Sequence, residues 1–113
     1  MKPFEREAVR LMAEKHIAAE VLARVFDAPA ASCDHTGVGY FLTIRDDDLP
    51  TERIVLNEPI VLGRVGAIEV GFVVFVEDHE LTLECHGWGD EVPTDIRERD
   101  VVVSVTQATG QRR

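Results

Sequence analysis

The stretch that decides the fold is residues 70–86, VGFVVFVEDHELTLECH, in which two apolar segments flank Asp78-His79. Asp and His tolerate positive φ angles, which a two-residue hairpin turn requires, so the pattern predicts a β-hairpin folded at this pair. Because side chains alternate along a strand, the turn assigns one set to a single face. That set is Phe72, Val74, Val76, Leu81, Leu83 and Cys85.

The opposite face of the second strand carries Thr82, Glu84 and His86, as expected for an antiparallel strand with one solvated side. The first strand of the hairpin is apolar on both faces. This predicts a position inside the sheet, with both faces of the strand partly covered by other elements. A register slip of one residue would bury Glu80, Glu84 and His86, so the pattern itself fixes the register. The turn sets Glu77 against Glu80, an unfavourable pair of like charges, and a longer loop is the alternative.

The N-terminal segment, residues 1–27, predicts one amphipathic helix from about Pro3 to Phe26. Lys15 falls within its apolar stripe, where we expect the ammonium to reach water, with a kink or a functional lysine as the alternatives. Deletion of this helix is expected to expose the sheet and cause aggregation. The stripe consists of Phe4, Ala8, Leu11, Ala18, Leu22, Val25 and Phe26, with Met12 and Ala19 at its margin.

The remainder of the chain predicts strands joined by short connections. A linker at 28–37 leads to strands at 38–44, 53–56 and 101–105, in addition to the hairpin. Residues 60–62 extend the second of these or pair elsewhere. The loop 87–99 contains a helical turn anchored by Ile96, and residues 107–113 form a frayed tail.

The fold class is therefore α+β, with the helix packed on one face of a largely antiparallel sheet of about five strands. Without a second long helix there is no material for βαβ crossovers, so neighbouring strands should run antiparallel. A length of 113 residues fits a single domain, residues 1–113.

Net charge is −9, and the acidic residues concentrate in one region. Residues 77–100 hold nine acidic and two basic side chains, a sum of −7. This field argues against nucleic acid and anionic membrane surfaces as partners, and it would attract a basic protein. The alternative is that acidity serves solubility alone. No apolar run approaches the roughly 20 residues of a membrane span, so a cytoplasmic location is the expectation.

Metal binding by Cys33, His35, Cys85 and His86 is the sharpest chemical hypothesis, since zinc accepts these ligands. Cys85 and His86 are consecutive on a strand and point to opposite faces, so no metal or other cofactor is expected. Cys33 beside Asp34 and His35 would make only a weak thiol–imidazole pair, because the carboxylate raises the pKa of the thiol. A small enzyme or ligand-binding domain that uses Cys33, His35 or His86 is the alternative function.

Trp88 is the candidate recognition residue, because tryptophan is enriched among interface hot spots and glycines on both sides leave it free to move. The alternative is that Trp88 folds back as a lid on the edge of the core. The acidic field around it is assigned to Asp78, Glu80, Glu84, Asp90 and Glu91.

Residues 71–84, GFVVFVEDHELTLE, with Pro93 downstream, resemble a pattern in small bacterial proteins of unassigned function. Some of those proteins look like immunity proteins for secreted toxins. The resemblance implies a helix followed by an antiparallel sheet, and it brings no catalytic residues.

These observations predict a non-enzymatic protein-binding domain. Its acidic region would engage a basic partner, in the manner of an immunity-type inhibitor, with association sensitive to salt. The other alternative is a self-associating structural protein, a homodimer for example, that buries the exposed strand Val101–Val105.

Overall fold

The computed structural model describes residues 1–89 and 91–106, and it has the predicted α+β architecture. The helices are α1 (Pro3–Ala13) and α2 (Ala19–Asp27), and the strands are β1 (Ser32–His35), β2 (Gly39–Arg45), β3 (Ile54–Val65), β4 (Ile68–Glu77), β5 (Glu80–Gly87) and β6 (Val102–Thr106). A 3₁₀ turn, Ile96–Glu98, lies between β5 and β6 in the chain. All neighbouring strands pair antiparallel, in the order β1-β2-β5-β4-β3-β6.

The β4–β5 hairpin has the predicted register, with Val74 opposite Leu83 and Glu77 opposite Glu80. Asp78 and His79 have φ angles of 53° and 65°, as a two-residue turn requires. The six side chains assigned to the inner face are all buried. The alternation of the sequence therefore determined which residues face the core.

The segment that precedes β3 holds the unusual turn pair in place. The amide of Asp78 donates to the carbonyl of Thr51, and that of His79 donates to Pro50. The imidazole Nδ1 of His79 lies 2.9 Å from the carbonyl oxygen of Leu49, whose side chain is buried. The two amide bonds support a turn in which two residues other than glycine are left-handed, because each satisfies a backbone N–H that the turn leaves unpaired.

The helices cover one face of the sheet, which we call the inner face. α1 packs against β3, β4 and β6, and the Phe4 and Phe72 rings lie 6.1 Å apart. The molecule measures 38 × 36 × 21 Å, which matches one sheet and one helix layer about 10 Å apart. None of the described helices lies on the opposite face, which we call the outer face.

The single helix expected over 3–26 is wrong, because the chain turns between Ala13 and Ala19. On one continuous helix, Ile17 and Val21 would point away from the apolar stripe. Because the chain turns at the break, α2 starts in a different orientation. Both side chains are therefore buried. Ala18, Ala19 and Lys15 are exposed instead. The kink at Lys15, given as an alternative to the continuous helix, is the arrangement observed. The sequence does not mark this break, because the segment contains no proline or glycine.

Two strand assignments also change, and the added strand β1 raises the strand count to six. β1 forms inside the expected linker and pairs with β2. β3 is one strand of 12 residues, and its register shifts between Leu56 and Val61. Pro59 lies within this irregular segment, where the strand tolerates a residue that has no backbone N–H to donate. The tail predicted at 107–113 lies outside the described residues, among which no helix is long and apolar enough to cross a membrane.

A buried ion pair fastens α1 to the loop before β6. The Glu5 carboxylate is fully buried and accepts two hydrogen bonds from the Arg97 guanidinium, at 2.7 and 3.0 Å. It also accepts from the Tyr40 hydroxyl at 2.6 Å and from the Lys2 amide at 2.8 Å. Burial, together with this carboxylate, raises the pKa of Tyr40. Every bond satisfies a charge that burial would otherwise make costly.

Glu5→Ala is expected to lower the free energy of unfolding by about 3–5 kcal/mol, because Arg97 and Tyr40 lose their shared buried acceptor. Urea unfolding of Glu5→Ala, Arg97→Ala and the double variant measures the coupling between the two side chains. We expect a coupling of roughly 1–3 kcal/mol. Strictly additive single effects would show that the pair is not energetically linked.

Candidate functional site

The outer face of the sheet is the candidate site, because it presents apolar side chains that no described element covers. Residues that alternate with these side chains along the strands point to the inner face and are buried. On the outer face, four apolar side chains are only half-buried: Phe41, Leu62, Val73 and Phe75. A sheet face that meets water is usually polar. An apolar one rimmed by charges is typical of an interaction surface.

Trp88 lies at one end of this face and packs over β4. Its ring meets the ring of His86 edge to face, with centroids 5.2 Å apart. A Cβ atom at Gly71 would come within 3.0 Å of Trp88 Cζ2 and 2.9 Å of His86 Nε2. Gly71 therefore leaves the space that both rings occupy against β4. The indole is nevertheless 58% exposed.

A groove of about 220 Å³ runs from Trp88 towards the bulge of β3. Its walls are mainly apolar, and the polar groups among its lining residues are the Asn57 amide and the His86 imidazole. The Nδ1 atom of His86 is buried and has no hydrogen-bond partner among the described residues. The apolar lining includes Ile60, Leu62 and Val73.

The structure separates the acidic residues that the sequence grouped around Trp88. Glu84 is on the outer face, four residues or roughly 13 Å of strand before Trp88. Glu80 is about 26 Å of strand away, and Asp78 lies beyond it at the hairpin turn. Glu91 is exposed three residues after Trp88, and Asp90 lies outside the described residues.

Cys33, His35, Cys85 and His86 do not form one site. In β1, Cys33 pairs with Leu42 and His35 with Tyr40, so both side chains lie on the inner-face side of the sheet edge. Cys85 is buried on the inner face, whereas His86 is on the outer face. Within residues 1–89 and 91–106, no three potential ligands come together to hold a metal ion.

Neither cysteine has the environment of a nucleophile. Burial raises the pKa of the Cys33 thiol, although Arg97 Nη1, 3.9 Å from the sulfur, acts in the opposite direction. The Asp34 carboxylate raises it too, as expected, but contributes less than burial does. Burial raises the pKa of Cys85 to about 12. At neutral pH both side chains remain thiols.

Comparisons with protein-family models, with curated proteins and with solved structures found no match for this chain. The resemblance to immunity-like proteins stays a prediction.

The sequence indicated Trp88 as a recognition residue but did not predict the groove beside it. Trp88 stood out by its residue type, and the hairpin register placed Gly71 opposite His86. The β3 wall, with Asn57 and Ile60, could not be anticipated, because it depends on a bulge that re-aims the strand after Leu56.

A thiol reagent at pH 8 is expected to label Cys33 slowly and Cys85 not at all in the native protein. Cys33 is half-buried, whereas Cys85 is buried and its pKa of about 12 leaves almost no thiolate. Absorbance of the released reagent group counts the reacted thiols, and denaturant should raise the count to both. Rapid native labelling of Cys33→Ser would contradict the placement of Cys85.

Gly71→Val is expected to push Trp88 and His86 off the sheet, because the added side chain occupies their space. Trp88 is the only tryptophan of the chain, so its emission spectrum should shift to longer wavelength. Thr82→Val, which adds no bulk on the same face, serves as the control. Unchanged emission in Gly71→Val would mean that the rings do not rest on this residue.

Proposed function

We propose that the protein is a non-enzymatic binding domain whose outer sheet face engages a basic protein, as an immunity-type inhibitor would. The observation that carries this proposal is the exposed Trp88 at the end of an uncovered, partly apolar sheet face. Tryptophan in such a setting is a frequent hot spot of protein interfaces.

The charge of the chain favours a basic partner over a second copy. Each copy carries −9, so face-to-face pairing of two copies would bring together surfaces of like sign. The outer face contributes Glu84, and none of the ion pairs between described residues includes it. A cationic partner would meet this carboxylate and the apolar groove at the same time.

The dispersed acidic residues have a different role from a compact charged site. Glu80 and Asp78 are too far from the groove to contact the same side chain as Trp88, but they extend the negative field along the hairpin. Such a field speeds encounter and orients a basic partner, and salt screens it.

Trp88→Ala is expected to weaken partner binding by roughly 30-fold, the loss typical of a hot spot, and to leave the melting temperature within about 3 °C of wild type. The partner is captured from a lysate of the source organism, identified by mass spectrometry and purified. Calorimetry with each variant then gives the affinity. Equal affinity for wild type and Trp88→Ala would remove the indole from the interface.

Glu84→Lys is expected to reduce the affinity for the same partner by about tenfold, because it replaces attraction by repulsion on the docking face. Glu20→Lys is the matched control, since Glu20 is exposed on α2 and the charge change is identical. Both variants should be compared at low and high salt. If the two lose affinity equally, net charge governs binding and the outer face does not.

Self-association is the second candidate, and the composition of β6 favours it. β6 forms one edge of the described sheet, contains no charged residue, and leaves Val102 and Val105 69% and 39% exposed. Edge strands of this kind pair readily with another chain. A salt-insensitive dimer in sedimentation, lost in Val102→Lys, would support this function in place of the first.

A further inference from the structure

The molecule contains two clusters in which an arginine, an aromatic ring and a carboxylate meet. On the outer face, the Arg53 guanidinium lies 6.0 Å from the Phe75 ring centroid and 3.5 Å from Glu77 Oε1. Under α1, the Arg97 guanidinium lies 5.9 Å from the Tyr40 ring centroid and pairs with Glu5. In both, the ring faces the cation while the carboxylate neutralises it.

Trp88 provides a third aromatic surface, and no arginine or lysine among the described residues lies over its ring. Tryptophan is the strongest aromatic partner of a cation. Carboxylates stand on both sides of it along the chain, Glu84 in β5 and Glu91 after the loop. Unlike the carboxylates of the other two clusters, neither of these two lines the groove. They would act through their field on a cation that another molecule supplies.

The groove beside Trp88 suits the shape of an arginine side chain. Its apolar walls, including Leu62 and Val73, can cover the aliphatic stem, and the Asn57 amide supplies a hydrogen-bond acceptor. A guanidinium is planar and weakly hydrated, so it stacks on an indole. A lysine ammonium keeps more of its water and does not stack.

We propose that the Trp88 groove binds an arginine side chain of the basic partner, with the guanidinium stacked on the indole and attracted by Glu84. This inference rests on the proposed function, since it names the residue through which the partner docks. An apolar anchor would fill the same volume, but it would gain nothing from the negative charge of Glu84 on the same face.

Fluorescence titration with three blocked tripeptides, Gly-Arg-Gly, Gly-Lys-Gly and Gly-Leu-Gly, tests the inference directly. Trp88 is the only tryptophan, so its emission reports this groove alone. We expect saturable quenching by the arginine peptide, with a midpoint lower than that of the lysine peptide by about threefold. The leucine peptide should bind more weakly than either.

Two variants localise the effect by NMR. Trp88→Phe and Glu84→Gln should each weaken binding of the arginine peptide, whereas Glu20→Gln on α2 should leave it unchanged. Amide shifts caused by the peptide should map to Gly71 and Leu62, which line the groove.

Each other outcome overturns the inference in a recognisable way. Equal midpoints for the arginine and lysine peptides, both weakened by Glu84→Gln, would rule out stacking but leave the basic-partner proposal intact. Tighter binding of the leucine peptide would make the groove a pocket for an apolar anchor. Absence of all peptide binding would overturn the inference alone, whereas indifference of the purified partner to Glu84→Lys would overturn the proposed function.

Discussion

The pairing of β4 with β5 about Asp78 and His79 is the constraint on which the rest of the structure depends. Because side chains alternate, this one register assigns Leu81, Leu83 and Cys85 to the core and Thr82, Glu84 and His86 to the other face. β4 and β5 are the two central strands of the sheet. Because β2 and β3 pair with them, this register also decides which side chains of β2 and β3 point to each face. A shift of one residue would invert both surfaces of the sheet.

The inner face and the outer face of this sheet are stabilised in different ways. The inner face excludes water under α1, and its buried charge, Glu5, is satisfied by Arg97, Tyr40 and a backbone amide. Removal of either partner would leave a charge without compensation, so this cluster is structural. The outer face keeps apolar side chains beside water, which folding alone does not require. These side chains are available for binding because they are not part of the core.

The inner and outer faces also explain why the cysteines and histidines do not cooperate. A strand presents consecutive residues to opposite sides, so Cys85 belongs to the core while His86 supports Trp88. Cys33 lies near Arg97 on the inner side, where burial keeps it a thiol. The arrangement favours recognition by surface shape and charge over covalent chemistry.

The sequence by itself determined the fold class, the hairpin register and the buried set of β4 and β5, because each follows from local alternation or from the order of the elements. The exposure of Trp88 was left open between two alternatives, and the structure decided it. Only the tertiary structure decided the helix break at 14–18, the strand at Ser32–His35, the bulge of β3 and the Glu5–Arg97 pair. Those features arise from contacts between distant segments; Glu5 and Arg97, for example, are 92 residues apart in sequence. Local periodicity carries no information about which distant surface a residue will meet, and that surface decides whether Ile17 turns inward or Asn57 lines a groove.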